Sequence, residues 1–217
     1  MHENIRRAIG TGWTEREWRQ VALAHPVFRL YLQHKQADAH RLLREYSAAH
    51  EAGHVVMAMV VGARVHRAEV ASLHEIEESG TLGFAEYSFN RRAHPGVLGE
   101  VLLDLAGIAG HEVIYNNGWG LDAAAWTEPD AVGSLRGEAR VGGDLYEARE
   151  RVKRSILAGF PVLGKANTAD ALVAAFEQAE GILAGNRGRL LAFAGRLLSH
   201  GKIDRSVIKE IWDRGEE

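Results

Sequence analysis

The sequence predicts a mainly α domain with a small β-hairpin or sheet. Apolar residues recur at helical spacing along most of the chain. Strict alternation is confined to one region, where Phe84, Glu86 and Ser88 interleave with Ala85, Tyr87 and Phe89. That is the pattern of a strand with one wet face. An apolar fraction of 46% in 217 residues supplies enough material for one core of ordinary size.

Near the start, Thr14-Glu15-Arg16-Glu17 has the form of a capping box, opening a helix through Trp18, Val21 and Ala22. Pro26 interrupts it, and a second helical pattern covers residues 27–43 with a solvated Lys- and Arg-bearing face. A third helix is expected over 44–61. Leu42, Leu43, Tyr46 and Ala49 lead into the apolar run Val55-Val56-Met57-Ala58-Met59-Val60-Val61, which Gly62 ends. Strands over 65–72 and 81–89 then form a hairpin, joined by the acidic segment His74-Glu75-Ile76-Glu77-Glu78-Ser79-Gly80.

From Pro95 a long helix is expected, with Val97, Leu98, Val101, Leu102, Leu105, Ile108, Val113 and Ile114 as its apolar stripe. Ala106, Gly107, Ala109 and Gly110 place small residues on one side, as a tight helix crossing needs. Residues 116–141, with Trp119 and Trp126, read as a loop of a length that in compact domains is either functional or disordered. Helices follow over 143–158, 168–183, 187–199 and 206–213. Gly159-Phe160-Pro161, Gly185-Asn186 and Gly201 separate them.

The net charge of −3 and pI near 6.4 give no electrostatic case for nucleic acid. Cysteine is absent, which excludes disulfides and thiolate-ligated metals and fits a cytoplasmic protein. The polar start lacks the apolar stretch of a signal peptide. The longest apolar run, 55–61, falls far short of the roughly 20 residues a membrane span needs.

One run stands apart: His50-Glu51-Ala52-Gly53-His54. On a helix, residues i and i+4 are neighbours, so two imidazoles share one face and can share one tetrahedral Zn²⁺. Glu51 lies beside the first histidine and is suited to act as general base, the division of labour in zinc peptidases. By composition alone such a string is expected about 0.05 times in this chain. Its flanks also fit: an almost wholly apolar helix that buries two histidines and a glutamate must compensate them, and a metal does so. A catalytic zinc usually takes three protein ligands. Spacing alone leaves Glu112, His111, Asp104 and Asp144 all open as the third.

Several blocks, in order, resemble the peptidase domain of the FtsH-type ATP-dependent zinc proteases. The first is the His50–His54 motif with its apolar continuation. Gly80-Thr81-Leu82-Gly83-Phe84-Ala85 resembles that family's strand after the motif helix. Leu105-Ala106-Gly107-Ile108-Ala109-Gly110-His111-Glu112-Val113-Ile114-Tyr115 resembles its LAGRAAEELIFG helix. Gly142-Gly143-Asp144-Leu145-Tyr146-Glu147-Ala148 resembles the turn that supplies its aspartate ligand. Ile182-Leu183-Ala184-Gly185-Asn186-Arg187, Leu197-Leu198 and Ile203-Asp204 resemble its C-terminal helical pair. The resemblance covers about residues 46–212, leaving 1–45 as an N-terminal helical extension to a 46–217 peptidase domain.

The resemblance implies a metal set of His50, His54 and Asp144 around one Zn²⁺, with Glu51 as general base. It also implies that Glu112 orients a ligand through a hydrogen bond. The family's basic and glutamate residues in its LAGRAAEELIFG helix are replaced here by Ile108 and Gly110-His111. No GxxxxGK[ST] phosphate loop is present, so ATP-independent cleavage of unfolded or flexible polypeptides is expected. A separate ATPase or adaptor partner, and an oligomer, are compatible with this. Two other classes compete: a repressor-clipping HExxH peptidase with a glutamate third ligand, and a non-catalytic module stapled by zinc.

Overall fold

A computed structural model describes residues 36–71, 83–90, 94–115 and 144–215. The expected helix after Thr14, the loop bearing Trp119 and Trp126, the acidic segment after His74 and the Gly142-Gly143 turn lie outside these residues. The described part is mainly helical with a small three-stranded antiparallel sheet.

Helix α1 spans Gln36–Val60. It runs unbroken through the position near residue 44 where one helix was expected to end and the next to begin. Between Gln36 and Val60 the only helix breaker is Gly53, so nothing in this stretch stops the backbone ladder. What ends α1 is a Schellman turn. Gly62 adopts φ +81°, Ala63 N–H donates to Ala58 O at 2.8 Å, and Gly62 N–H donates to Met59 O at 3.2 Å.

Strands β1 (Arg64–Val70) and β2 (Gly83–Ser88) pair antiparallel as expected, and β1 is the centre of the sheet. An irregularity between Val65 and Arg67 shifts the phase of β1. The buried residues are therefore Val65, Ala68 and Val70 rather than a strict alternation. They stand opposite Tyr87, Ala85 and Gly83, the inward side of β2. The opposite side of β2 is wet, and there Arg67 binds Glu86 at 2.7 Å and lies over the Phe84 ring.

The hairpin was the only β element expected, but a third strand, β3 (Lys202–Asp204), pairs with the other edge of β1. Residues 203–204 are thus strand, not part of a helical pair. Gly201 in the left-handed region turns the chain, and Ile203 is buried opposite Ala68.

Four further helices precede β3: α2 (Gly96–Tyr115), α3 (Asp144–Leu157), α4 (Thr168–Ala184) and α5 (Arg187–His200). Helix α6 (Arg205–Arg214) follows β3 directly. Asp204 caps α6 by accepting from the Ser206 and Val207 N–H groups. Helix α1 is the centre of the core. The sheet, α2 and α5 pack around it, while α2 in turn carries α3 and α4.

The small residues of α2 lie where the crossing was expected. A Cβ added at Gly53 would stand 2.9 Å from the Ala106 carbonyl carbon and closer still to its oxygen, and one at Gly110 would stand 2.8 Å from Gly53 Cα. Backbone meets backbone there, which only glycine allows.

Candidate metal centre

His50 and His54 occupy successive turns of α1, and Asp144 is the first residue of α3. Folding brings three ligand atoms into a nearly equilateral triangle. His50 Nε2 lies 3.0 Å from Asp144 Oδ2, His54 Nε2 lies 2.9 Å from the same oxygen, and the two Nε2 atoms are 3.1 Å apart. These three residues form a group that could hold a metal ion.

The donor set fits. Two imidazole nitrogens and a carboxylate oxygen are zinc-type ligands. The edges of the triangle approach the roughly 3.3 Å edge of a tetrahedron with bonds of about 2.0–2.1 Å. Tautomer logic agrees. His54 Nδ1 lies 3.0 Å from the Leu103 carbonyl, which can only accept, so Nδ1 donates. Neutral His54 then presents the lone pair of Nε2 towards a carboxylate oxygen, and either a metal ion or a second proton on Nε2 reconciles the two.

The electrostatics carry the same message. Burial alone pushes the His54 pKa down, but the Asp144 carboxylate more than offsets it, so His54 holds a proton above the ordinary pH 6.5. Burial opposes ionisation of Asp144. The two imidazoles nevertheless hold its carboxyl well below the usual carboxylate range. A position on the first turn of α3 also favours its negative charge.

Glu51 is buried beside this triangle, and its charge reaches His54. It is accommodated by Gly83 at the start of β2. A Cβ there would stand 2.9 Å from Glu51 Cγ and Oε1. Gly107 plays the same part for His50, since a Cβ on it would fall within the imidazole ring's contact distance.

The other candidates are not part of the triangle. Asp104 accepts from Arg151 of α3 at 2.7 Å, and Arg151 also donates to Glu100 at 2.8 Å. Burial pushes the Asp104 carboxyl up to about 7 against the pull of Arg151. His111 is fully buried between the rings of Tyr46 and Tyr115, with centroids 4.5 and 4.6 Å away. Glu112 is buried on α2; burial first, and the Glu112 charge second, raise the pKa of Glu180 on α4. Neither His111 nor Glu112 joins the metal-type group, and the partner of His54 Nδ1 is a main-chain carbonyl. The contributions of Leu103 O, Gly83 and Gly107 were not expected from the sequence, because backbone and empty space leave no motif.

Among the described residues no helix is long and apolar enough to cross a membrane. Compared with known proteins, the chain matches no family model and no curated protein.

Proposed function

We propose that this protein is a zinc-dependent endopeptidase. The observation that carries the reading is the triangle of His50, His54 and Asp144 atoms with the Glu51 carboxylate buried beside it. A purely structural site has no use for a base in that position. The ordered resemblance to FtsH-type peptidase domains supports the same assignment. Asp144 rather than Glu112 in the triangle favours it over the class with a glutamate ligand.

His50, His54 and Asp144 would hold the ion. Bound there, Zn²⁺ supplies Lewis acidity and a water acidic enough to attack an amide near neutral pH. The Glu51 carboxylate accepts a proton from the attacking water and returns it to the leaving nitrogen. Leu103 O keeps His54 in the tautomer that presents Nε2.

Strand β2 lies next to Glu51 and, among the described residues, pairs only with β1. Its free edge is suited to align an extended polypeptide by main-chain hydrogen bonds. Unfolded proteins and flexible tails present such a strand, and a separate ATPase or adaptor is one way to deliver it. In the absence of a phosphate loop, cleavage is independent of ATP.

The test is metal analysis with a casein digestion assay on wild type and Glu51→Gln. Wild type should carry about one Zn²⁺ and cleave casein. The variant should keep the metal and the fold yet lose hydrolysis by several orders of magnitude. A wild type that binds no zinc on titration, or a Glu51→Gln variant as active as wild type, would sink the proposal.

A further inference from the structure

Asp144 and Arg151 lie on one face of α3, seven residues and so two turns apart, about 10 Å along the axis. Arg151 is forked. Its Nε donates to Asp104 Oδ2 at 2.7 Å and its Nη1 to Glu100 Oε2 at 2.8 Å. Glu100 and Asp104 are i and i+4 on α2, and the Asp104 side chain is largely buried. The other Glu100 oxygen lies 3.3 Å from His94 Nε2, which ties the acceptor in place.

Between those two acids stands Leu103, whose carbonyl orients His54. One turn of α2 thus addresses both halves of the metal centre, His54 through the main chain and α3 through Arg151.

Apart from the Asp144 contacts, α3 meets its neighbours mainly through apolar packing. Its buried residues are Leu145, Ala148 and Val152, and apolar burial is non-directional. A charged fork is directional: the planar guanidinium fixes the directions of its Nε and Nη1 N–H groups, and here each meets a different carboxylate. Resting on the reading that His50, His54 and Asp144 hold the metal, we infer that Arg151 is a positioning residue. Its fork to Glu100 and Asp104 sets the register of α3 so that the Asp144 carboxylate arrives at the two histidines.

The experiment is competitive Zn²⁺ titration of the full chain. Arg151→Met keeps most of the stem and loses the fork, and should weaken zinc affinity about 10–100-fold, as loss of an outer partner does. Because Arg151→Met also strands two acids, the triple variant Glu100→Gln/Asp104→Asn/Arg151→Met serves as the decisive companion. It leaves no unpaired charge and should still lose at least tenfold. In an Asp144→Ala background, which itself should bind zinc poorly, adding Arg151→Met should change nothing further, since the two residues act through one ligand.

Wild-type affinity in Arg151→Met or in the triple variant would overturn the inference. So would an undiminished extra loss in the Asp144→Ala background, the mark of a merely structural role. Should Arg151→Met not fold, the triple variant decides. Unchanged zinc affinity in Asp144→Ala alone would instead refute the metal assignment beneath it.

Discussion

Gly107→Ala tests the geometry of the centre with the smallest change available. The added methyl would stand 2.6 Å from His50 Nδ1 and closer still to Cε1 and Nε2. Non-bonded carbon contacts settle near 3.5 Å, so the deficit is about 1 Å. The backbone of α2 is held by its crossing with α1 at Gly53 and Gly110, so the imidazole ring must give way instead. Moving His50 Nε2 by about 1 Å breaks a triangle whose sides are 2.9–3.1 Å.

Losses of that kind in metal sites run to about 10–100-fold in affinity, or roughly 1.4–2.7 kcal/mol. The fold should suffer less, because a ring can rotate where a backbone cannot. Competitive zinc titration gives the first quantity, and urea unfolding of the metal-free protein gives the second. Zinc affinity equal to wild type, in a protein shown to be folded, would mean that His50 is not seated over Gly107 and that the triangle is wrong.

Gly53→Ala should behave in the opposite manner: its methyl meets the Ala106 carbonyl, so α1 and α2 must part and stability should fall by about 3 kcal/mol or more. The control Gly181→Ala, in open space within α4, should gain up to about 1 kcal/mol in the same urea titration. Zinc affinity should fall as pH drops below the raised pKa of His54 and level off above it, because a proton and the metal compete for Nε2. A pH-independent isotherm between pH 5 and 8 would contradict this. Asp104 keeps its proton to about pH 7 when folded and loses it near 3.8 when unfolded. The stability this supports is whole below pH 3.8 and lost as pH climbs through 7. Relative to Asp104→Asn, wild type should therefore lose about 4 kcal/mol across that window, and parallel stability curves would refute it.

What the sequence made legible divides along the range of the forces involved. Helix periodicity placed α2, α3, α4, α5 and α6 within a few residues, since local apolar spacing is what builds a helix face. The paired strands followed from alternation in 84–89, and the crossing of α1 with α2 from the small residues of 106–110. The expected division near residue 44 did not materialise. No proline or glycine stands near residue 44, so nothing local interrupts the hydrogen bonding of the helix there. Strand β3 escaped because three residues between a glycine turn and an aspartate cap are too few to show a period of two. Similarly, 47 residues separate Asp104 from Arg151, and nothing local to either records the pairing.

The pairing matters because the ligands and the means of aligning them lie on different elements. Helix α1 carries two of the three metal-type ligands and the buried glutamate, all within His50–His54. That spacing alone fixes their relative positions. Helix α2 carries none of these ligands, yet every one of them is adjusted against it or through it. Gly107 gives His50 its room, Leu103 O selects the His54 tautomer, and Glu100 with Asp104 grips the helix that bears Asp144. A sequence search for liganding residue types finds α1 and passes over α2, because a carbonyl, an absent side chain and a salt bridge have no signature of their own. Substitutions on α2 that leave every ligand intact should therefore be among the most damaging to metal binding, and those nearest the α1 crossing should damage the fold as well.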